Sequence, residues 1–263
     1  MLSVILVLEA LAFLVVLRLL AIAPRGRGPA VKRDKNNNDN NNNKTATTAS
    51  LAVFLGSGGH TAEMRALLAS VDRQRYTPRT YVYCAGDDMS LRAVADFEAS
   101  TEVPGSAGAG ARNPSYSLLS LPRARAVGEG KLSTLVSASK TFAVALWHVF
   151  ALPTMARPRA PWADVLILNG PGTAVVLVAA VYIRRILGLS YTRIIYVESF
   201  ARVKSLSLSG KLLKPFVDTF VVQWPDLAGE NVPSADIKVK KVNKGEQFEG
   251  SFIPGTTYRG WLV

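Results

Sequence analysis

Histidine and cysteine are nearly missing from this chain. Its 263 residues include two histidines, His60 and His148, and one cysteine, Cys84. A single cysteine excludes an intramolecular disulfide. So few Cys and His residues also exclude a structural zinc site, and neither a metal nor a cofactor is expected. Cys84 lies in an apolar, strand-like run and reads as a core thiol of a reducing compartment. Acidic residues are also sparse, 19 against 31 Lys and Arg, giving a net charge of +12 and a pI near 10. That imbalance points to an anionic partner: nucleic acid, acidic lipid headgroups or a phosphorylated substrate. No internal repeat is present.

Two nucleotide signatures are absent where glycine is dense, at Gly56-Ser57-Gly58-Gly59-His60-Thr61. The dinucleotide fingerprint needs glycine at position 61, which is Thr61, and an acidic residue about 20 residues on; Asp87 is farther. A P-loop needs a Lys-Ser/Thr pair after the glycines, and none follows.

What is abundant at the N-terminus is apolar side chain. Leu2 to Ala23 is 22 residues with only Glu9 and Arg18 charged. As a helix it spans about 33 Å, enough to cross a bilayer core of about 30 Å once. A cleaved signal peptide is the competing reading, because Ala21-Ile22-Ala23 resembles a cleavage site. The missing basic n-region, Pro24 just past the cut and the length of the run count against it. Arg25, Arg27, Lys32, Arg33 and Lys35 follow the run, so the positive-inside rule places the N-terminus in the lumen and the remainder in the cytosol.

Residues 24–48, with the run Asn36–Asn43, hold almost no large apolar side chain and read as a flexible tether. From 49 to 263 the pattern alternates strand and helix. Candidate strands are 50–55, 79–85, 116–121, 164–168, 193–198 and 218–223; candidate helices are 61–71, 89–99, 131–152, 173–187 and 206–214. The strands are apolar with little alternation, as strands buried on both faces are. The fold expected is α/β, a Rossmann-like doubly wound, mostly parallel sheet. Residues 101–115 read as a loop. Residues 229–257, with Lys238, Lys240, Lys241 and Lys244, read as a polar insertion.

Three loops then fall at carboxyl ends of strands, where open α/β sheets bind ligands. They are Gly56-Ser57-Gly58-Gly59-His60, Asn169-Gly170-Pro171-Gly172-Thr173 and Glu198-Ser199. The first two are candidate diphosphate cradles, because glycine admits close approach and free amides at a helix start favour anions. His60 is a candidate phosphate ligand or general base. Glu198 is a candidate base or sugar-hydroxyl acceptor, or else a carboxylate capping the following helix. His148, in "ALWHVF", reads as packed or interfacial.

The motifs "GSGGHTAEM", "LPRARAVGEG", "LILNGPGT", "YVESFARVKSLSLSGKLL" and "FVVQWPDL" occur in this order between residues 51 and 228. Together they resemble the membrane-anchor subunit of the two-chain UDP-GlcNAc transferase of the dolichol pathway. The resemblance implies one half of a GT-B glycosyltransferase at the endoplasmic reticulum membrane, which is continuous with the nuclear envelope. It implies a cytosolic catalytic subunit as partner, binding the donor. The acceptor implied is GlcNAc-diphospho-dolichol, to which the pair adds the second GlcNAc, and nucleic acid drops out as a partner. On this reading the glycine loop faces the acceptor diphosphate with His60 near the reacting sugar. A GT-B enzyme needs two Rossmann-like domains, and this chain has residues for one. The apolar tail Trp261-Leu262-Val263 is a candidate docking element for the partner. The alternatives are a non-enzymatic membrane scaffold with a structural Rossmann fold, and a complete small nucleotide-dependent enzyme already weakened by the missing fingerprint.

Overall fold

A computed structural model describes residues 2–22, 48–99, 116–125, 128–224, 227 and 256–258. The tether, the 101–115 segment, the basic run at 238–244 and the tail Trp261–Val263 lie outside the described residues. The described chain forms α1 (Leu2–Ile22), β1 (Ala49–Phe54), α2 (Gly59–Ala69), β2 (Tyr76–Cys84), α3 (Asp88–Ala99) and β3 (Tyr116–Leu121). It continues with α4 (Lys131–Leu146), a π-helical turn (Trp147–Ala151), α5 (Leu152–Ala156), β4 (Val165–Leu168), α6 (Gly172–Ile186) and β5 (Arg193–Val197). The last elements are α7 (Leu208–Leu213), β6 (Thr219–Val222) and β7 (Thr256–Tyr258).

The strands form one sheet in the order β3-β2-β1-β4-β5-β6-β7, with every pairing parallel. All six expected strands are present. The seventh comes from the end of the stretch read as an insertion: Thr256 pairs with Phe220 and Tyr258 with Val222. Three residues carry too little local pattern to announce a strand; pairing along β6 makes it one.

Each strand splits its side chains between two cores. On β1, Ala52 and Phe54 face one layer while Leu51, Val53 and Leu55 face the other. The first layer is α4, α6 and α7, with Leu19 and Ile22 of α1 packed against it. The second is α2 and α3, through Met64, Leu68, Val94 and Phe97. Fully buried side chains of this size contribute about 1.5–3 kcal/mol each. α1 is fastened to the C-terminal end of α6, where Arg18 Nε donates to the Ile186 carbonyl at 3.1 Å.

The helix expected over 131–152 is interrupted. Pro153 has no amide to bond the Val149 carbonyl, and the helix widens into the π-helical turn there. Arg184, fully buried, fixes this end. Its guanidinium donates to the carbonyls of Phe150 at 3.2 Å and Ala160 at 2.8 Å and to Ser190 Oγ at 2.9 Å.

Candidate functional site

β1 and β4 are neighbours in the sheet although three helices and two strands separate them in sequence, so the strand order reverses between them. In an open α/β sheet the crevice forms outside the carboxyl ends of the strands at such a reversal. A cavity of about 920 Å³ opens there. Its floor is Gly56, Ser57 and His60 after β1, with Gly170, Pro171, Gly172 and Thr173 after β4. Arg123, Ala124 and Arg125 after β3 form one wall; Glu198, Ser199 and Arg202 after β5 form another, closed by Ser207, Leu208 and Leu212.

The two glycine loops touch, and this is why residue 56 is glycine. A Cβ on Gly56 would lie 2.7 Å from the Asn169 carbonyl oxygen. Gly58 has φ +61, a conformation that glycine alone adopts at no cost, and it turns the chain into α2. No side chain caps α2 or α6 at its N-terminus, and both helices begin beside the cavity floor. Of the residues read as an anion cradle, Gly56, Ser57, Gly170, Gly172 and Thr173 line the cavity, whereas Gly58, Gly59 and Asn169 do not. Gly58 lines a neighbouring groove with Thr61, Arg65 and Met89.

Thr173 and Asn169 hold the site from behind. Thr173 Oγ1 accepts from the Ala124 amide at 3.1 Å and from the Cys84 thiol at 3.7 Å, pinning the loop that carries Arg123 and Arg125. Burial pushes the Cys84 thiol up from its ordinary value. Asn169, fully buried, joins two side chains of α2. Its Nδ2 donates to Glu63 Oε2 at 2.7 Å, and its Oδ1 lies 2.7 Å from His60 Nδ1. Ser199 Oγ donates to the other Glu63 oxygen at 2.8 Å. A carboxylate only accepts, so Glu63 orients the amide of Asn169. The amide oxygen then faces the imidazole and holds the proton of a neutral His60 on Nδ1. Nε2 is left as the basic nitrogen of a side chain that lines the cavity.

Glu198 is only 1% exposed. Its Oε2 accepts from the Ser207 amide at 3.0 Å and from Ser207 Oγ at 3.1 Å, and its Oε1 accepts from the Ser199 amide at 3.1 Å. Ser207 is the N-cap of α7, its Oγ accepting from the Gly210 amide at 2.9 Å. The carboxylate therefore steadies the start of that helix from within the wall. Beside it, the Tyr196 hydroxyl donates to the Gly170 carbonyl at 3.2 Å. Burial, reinforced by the Glu198 carboxylate, pushes this phenol up to about 12, so it stays neutral.

Sequence reasoning missed Glu63, Ser199 as its partner, and the three arginines. Glu63 had a signal, since it stands three residues after His60 and the two share a face of α2. Arg123 and Arg125 had one in "PRAR" directly after β3. The lining carries Arg123, Arg125 and Arg202 against one carboxylate already engaged, which suits an anionic ligand. Among the described residues no group of three or more His, Cys, Asp or Glu could hold a metal ion.

The fold and site thus define a Rossmann-like α/β domain with a basic, histidine-bearing crevice at its switch point. The family described as "Oligosaccharide biosynthesis protein Alg14 like" matches residues 51–237. A Cryptococcus neoformans protein named UDP-N-acetylglucosamine transferase subunit ALG14 is 55% identical over 216 residues, 82% of this chain and 87% of the relative. The Schizosaccharomyces pombe protein of that name is 42% identical over 68% of this chain and 77% of the relative. The Mus musculus one is 37% identical over 67% and 76%. The chain belongs to the Alg14-like family.

Proposed function

We propose that this chain is the membrane-anchored, acceptor-binding half of a UDP-GlcNAc transferase that adds the second GlcNAc to GlcNAc-diphospho-dolichol. The observation that carries the reading is the basic crevice holding His60, in a single Rossmann-like domain whose relatives are named as transferase subunits. A separate cytosolic subunit supplies the donor-binding domain. α1 anchors the chain in the endoplasmic reticulum membrane with the N-terminus lumenal and the main domain cytosolic.

In the assembled site, Arg123, Arg125 and the amides of the Gly56–Gly59 and Gly170–Gly172 loops hold the acceptor diphosphate. His60 Nε2 takes the proton of the attacking sugar hydroxyl as its oxygen bonds to the anomeric carbon of the donor GlcNAc. The bond from that carbon to the diphosphate breaks, and UDP leaves on the partner's side. Ser57 and Thr173 complete the cradle, while Glu198 keeps its wall in place. The tail Trp261-Leu262-Val263 contributes to partner docking.

The test is transfer of labelled GlcNAc to a diphospholipid acceptor by this full chain with and without its partner subunit. Activity should require both, and His60→Ala should lower turnover of the complex by about 10² to 10⁴. Transfer by this chain alone, or wild-type turnover in His60→Ala, would overturn the reading. Removing residues 261–263 should weaken co-purification of the partner far more than it lowers the melting temperature.

A further inference from the structure

The segment Lys131–Ala156, which comprises α4, the π-helical turn and α5, is apolar on two faces. Thr141, Ala145 and Val149 are buried against the domain. The opposite face carries Leu132, Val136, Ser139, Ala143 and Trp147 at helical spacing, all exposed. Leu132 is 84% exposed, Val136 70% and, on α5, Met155 77%. Nothing in the domain covers this stripe, and its length and hydropathy would suit a membrane span.

It cannot span. The segment joins β3 to β4, two parallel strands of one sheet, and a crossing would put them on opposite sides of the bilayer. An apolar helix face exposed on a domain and unable to cross is suited to lying in the membrane interface.

We infer that the exposed face of α4 and α5 is a second membrane contact, inserted sideways into the cytosolic leaflet beside the anchor. Three observations select a lipid surface over a protein. No acidic residue occurs from Lys131 to Ala163, while Lys131, Lys140, Arg157 and Arg159 stand exposed around the stripe. A basic rim around apolar and Trp side chains matches anionic headgroups over acyl chains. α1 packs into the same helical layer, against α6, so both apolar elements lie on one side of the sheet. Finally, Thr134 and Ala138 of α4 line the cavity, as do Leu208 and Leu212, which are 73% and 51% exposed. The helix that meets the lipid is therefore a wall of the crevice, and a lipid-linked ligand reaches the arginines without leaving the bilayer surface. That last consequence rests on the function proposed above; the contact itself does not.

The experiment uses the full chain in phosphatidylcholine–phosphatidylserine vesicles. Cys84 is buried, so one added cysteine takes an environment-sensitive fluorophore selectively. Val136→Cys reports the stripe, Phe13→Cys reports α1, and Met89→Cys, exposed on α3 in the other layer, is the control. An interfacial helix lies roughly 5–10 Å below the headgroups, so lipid with a shallow nitroxide should quench the label at 136 about threefold more than that at 89. Aqueous iodide should do the reverse. A label at 136 quenched by iodide like that at 89, while 13 is quenched by lipid, overturns the second contact and leaves the anchor standing. Labels at both 13 and 136 in water overturn both. Protection of 136 from both quenchers only when the partner subunit is added makes the face a protein interface and overturns the proposal. Equal thermal unfolding of all three variants in detergent keeps misfolding out of the comparison.

Discussion

Replacing Asn169 with Leu removes a residue that touches no solvent and, on the assignment above, acts only through others. The exchange keeps the shape and deletes two hydrogen bonds, the 2.7 Å contact with His60 Nδ1 and the 2.7 Å bond to Glu63 Oε2. A neutral buried hydrogen bond contributes about 0.5–1.5 kcal/mol, and one to a charged group about 1.5–3. Leucine recovers part of this by burying apolar surface, so a net destabilisation of about 2 kcal/mol follows, a fall in melting temperature of roughly 4–8 °C. The catalytic effect is separable. Without the amide oxygen the imidazole loses a restraint of about 1–1.5 kcal/mol on its tautomer and orientation, so turnover drops about tenfold with KM for both substrates little changed. Transfer to a diphospholipid acceptor, measured below the melting range with saturating partner subunit, reads this directly. The decisive comparison is the double variant His60→Ala/Asn169→Leu. Because Asn169 works through His60, the double variant should turn over no more slowly than His60→Ala alone. Losses that multiply, or a wild-type rate in Asn169→Leu, would refute the chain from Glu63 through Asn169 to His60.

Three further outcomes follow from the same structure. The paired replacement Arg123→Ala/Arg125→Ala should raise KM for the diphospholipid acceptor about tenfold or more while leaving KM for UDP-GlcNAc unchanged, since the two guanidiniums border the crevice and not the partner's donor site. Burial alone would raise the Glu98 carboxyl, but the hydrogen bonds from Arg79 at 2.8 Å and from Tyr81, with the Arg79 charge, hold it below its ordinary value. A depressed carboxyl stabilises above its unfolded value and loses that contribution as pH falls through the folded one. Glu98→Gln should therefore melt lower than wild type at pH 7, and the gap should close below about pH 4 in thermal scans. The sequon Asn43-Lys44-Thr45 stands after the anchor, so cytosolic placement predicts no mobility shift on endoglycosidase treatment; a shift abolished in Asn43→Gln would invert the topology.

Much of the architecture was legible in the sequence because strands buried on both faces must be apolar throughout. "VLIL" and "RIIYV" leave little other reading, and the glycine loops directly after β1 and β4 announced where the backbone is approached closely. His60, Gly56, Ser57, Gly170, Gly172 and Thr173 were accordingly identified as lining residues before any neighbour was known. What the sequence could not express was direction. Asn169 sits in the same loop as Gly170 yet turns inward, because its amide finds Glu63 and His60 from a helix about a hundred residues earlier. Glu198 reads locally like a base, and only the arrival of Ser207 shows that its oxygens are engaged. β7 becomes a strand only by pairing along β6. The run from Lys131 to Ala156 has the composition of a core helix on every side; that one side faces outward was decided by how much of it α6 and the sheet could cover. Local propensity and hydrophobic pattern are properties of the chain and can be read along it. Which polar groups satisfy one another, and which apolar faces remain open, depends on distances that exist only once the sheet has brought distant segments together.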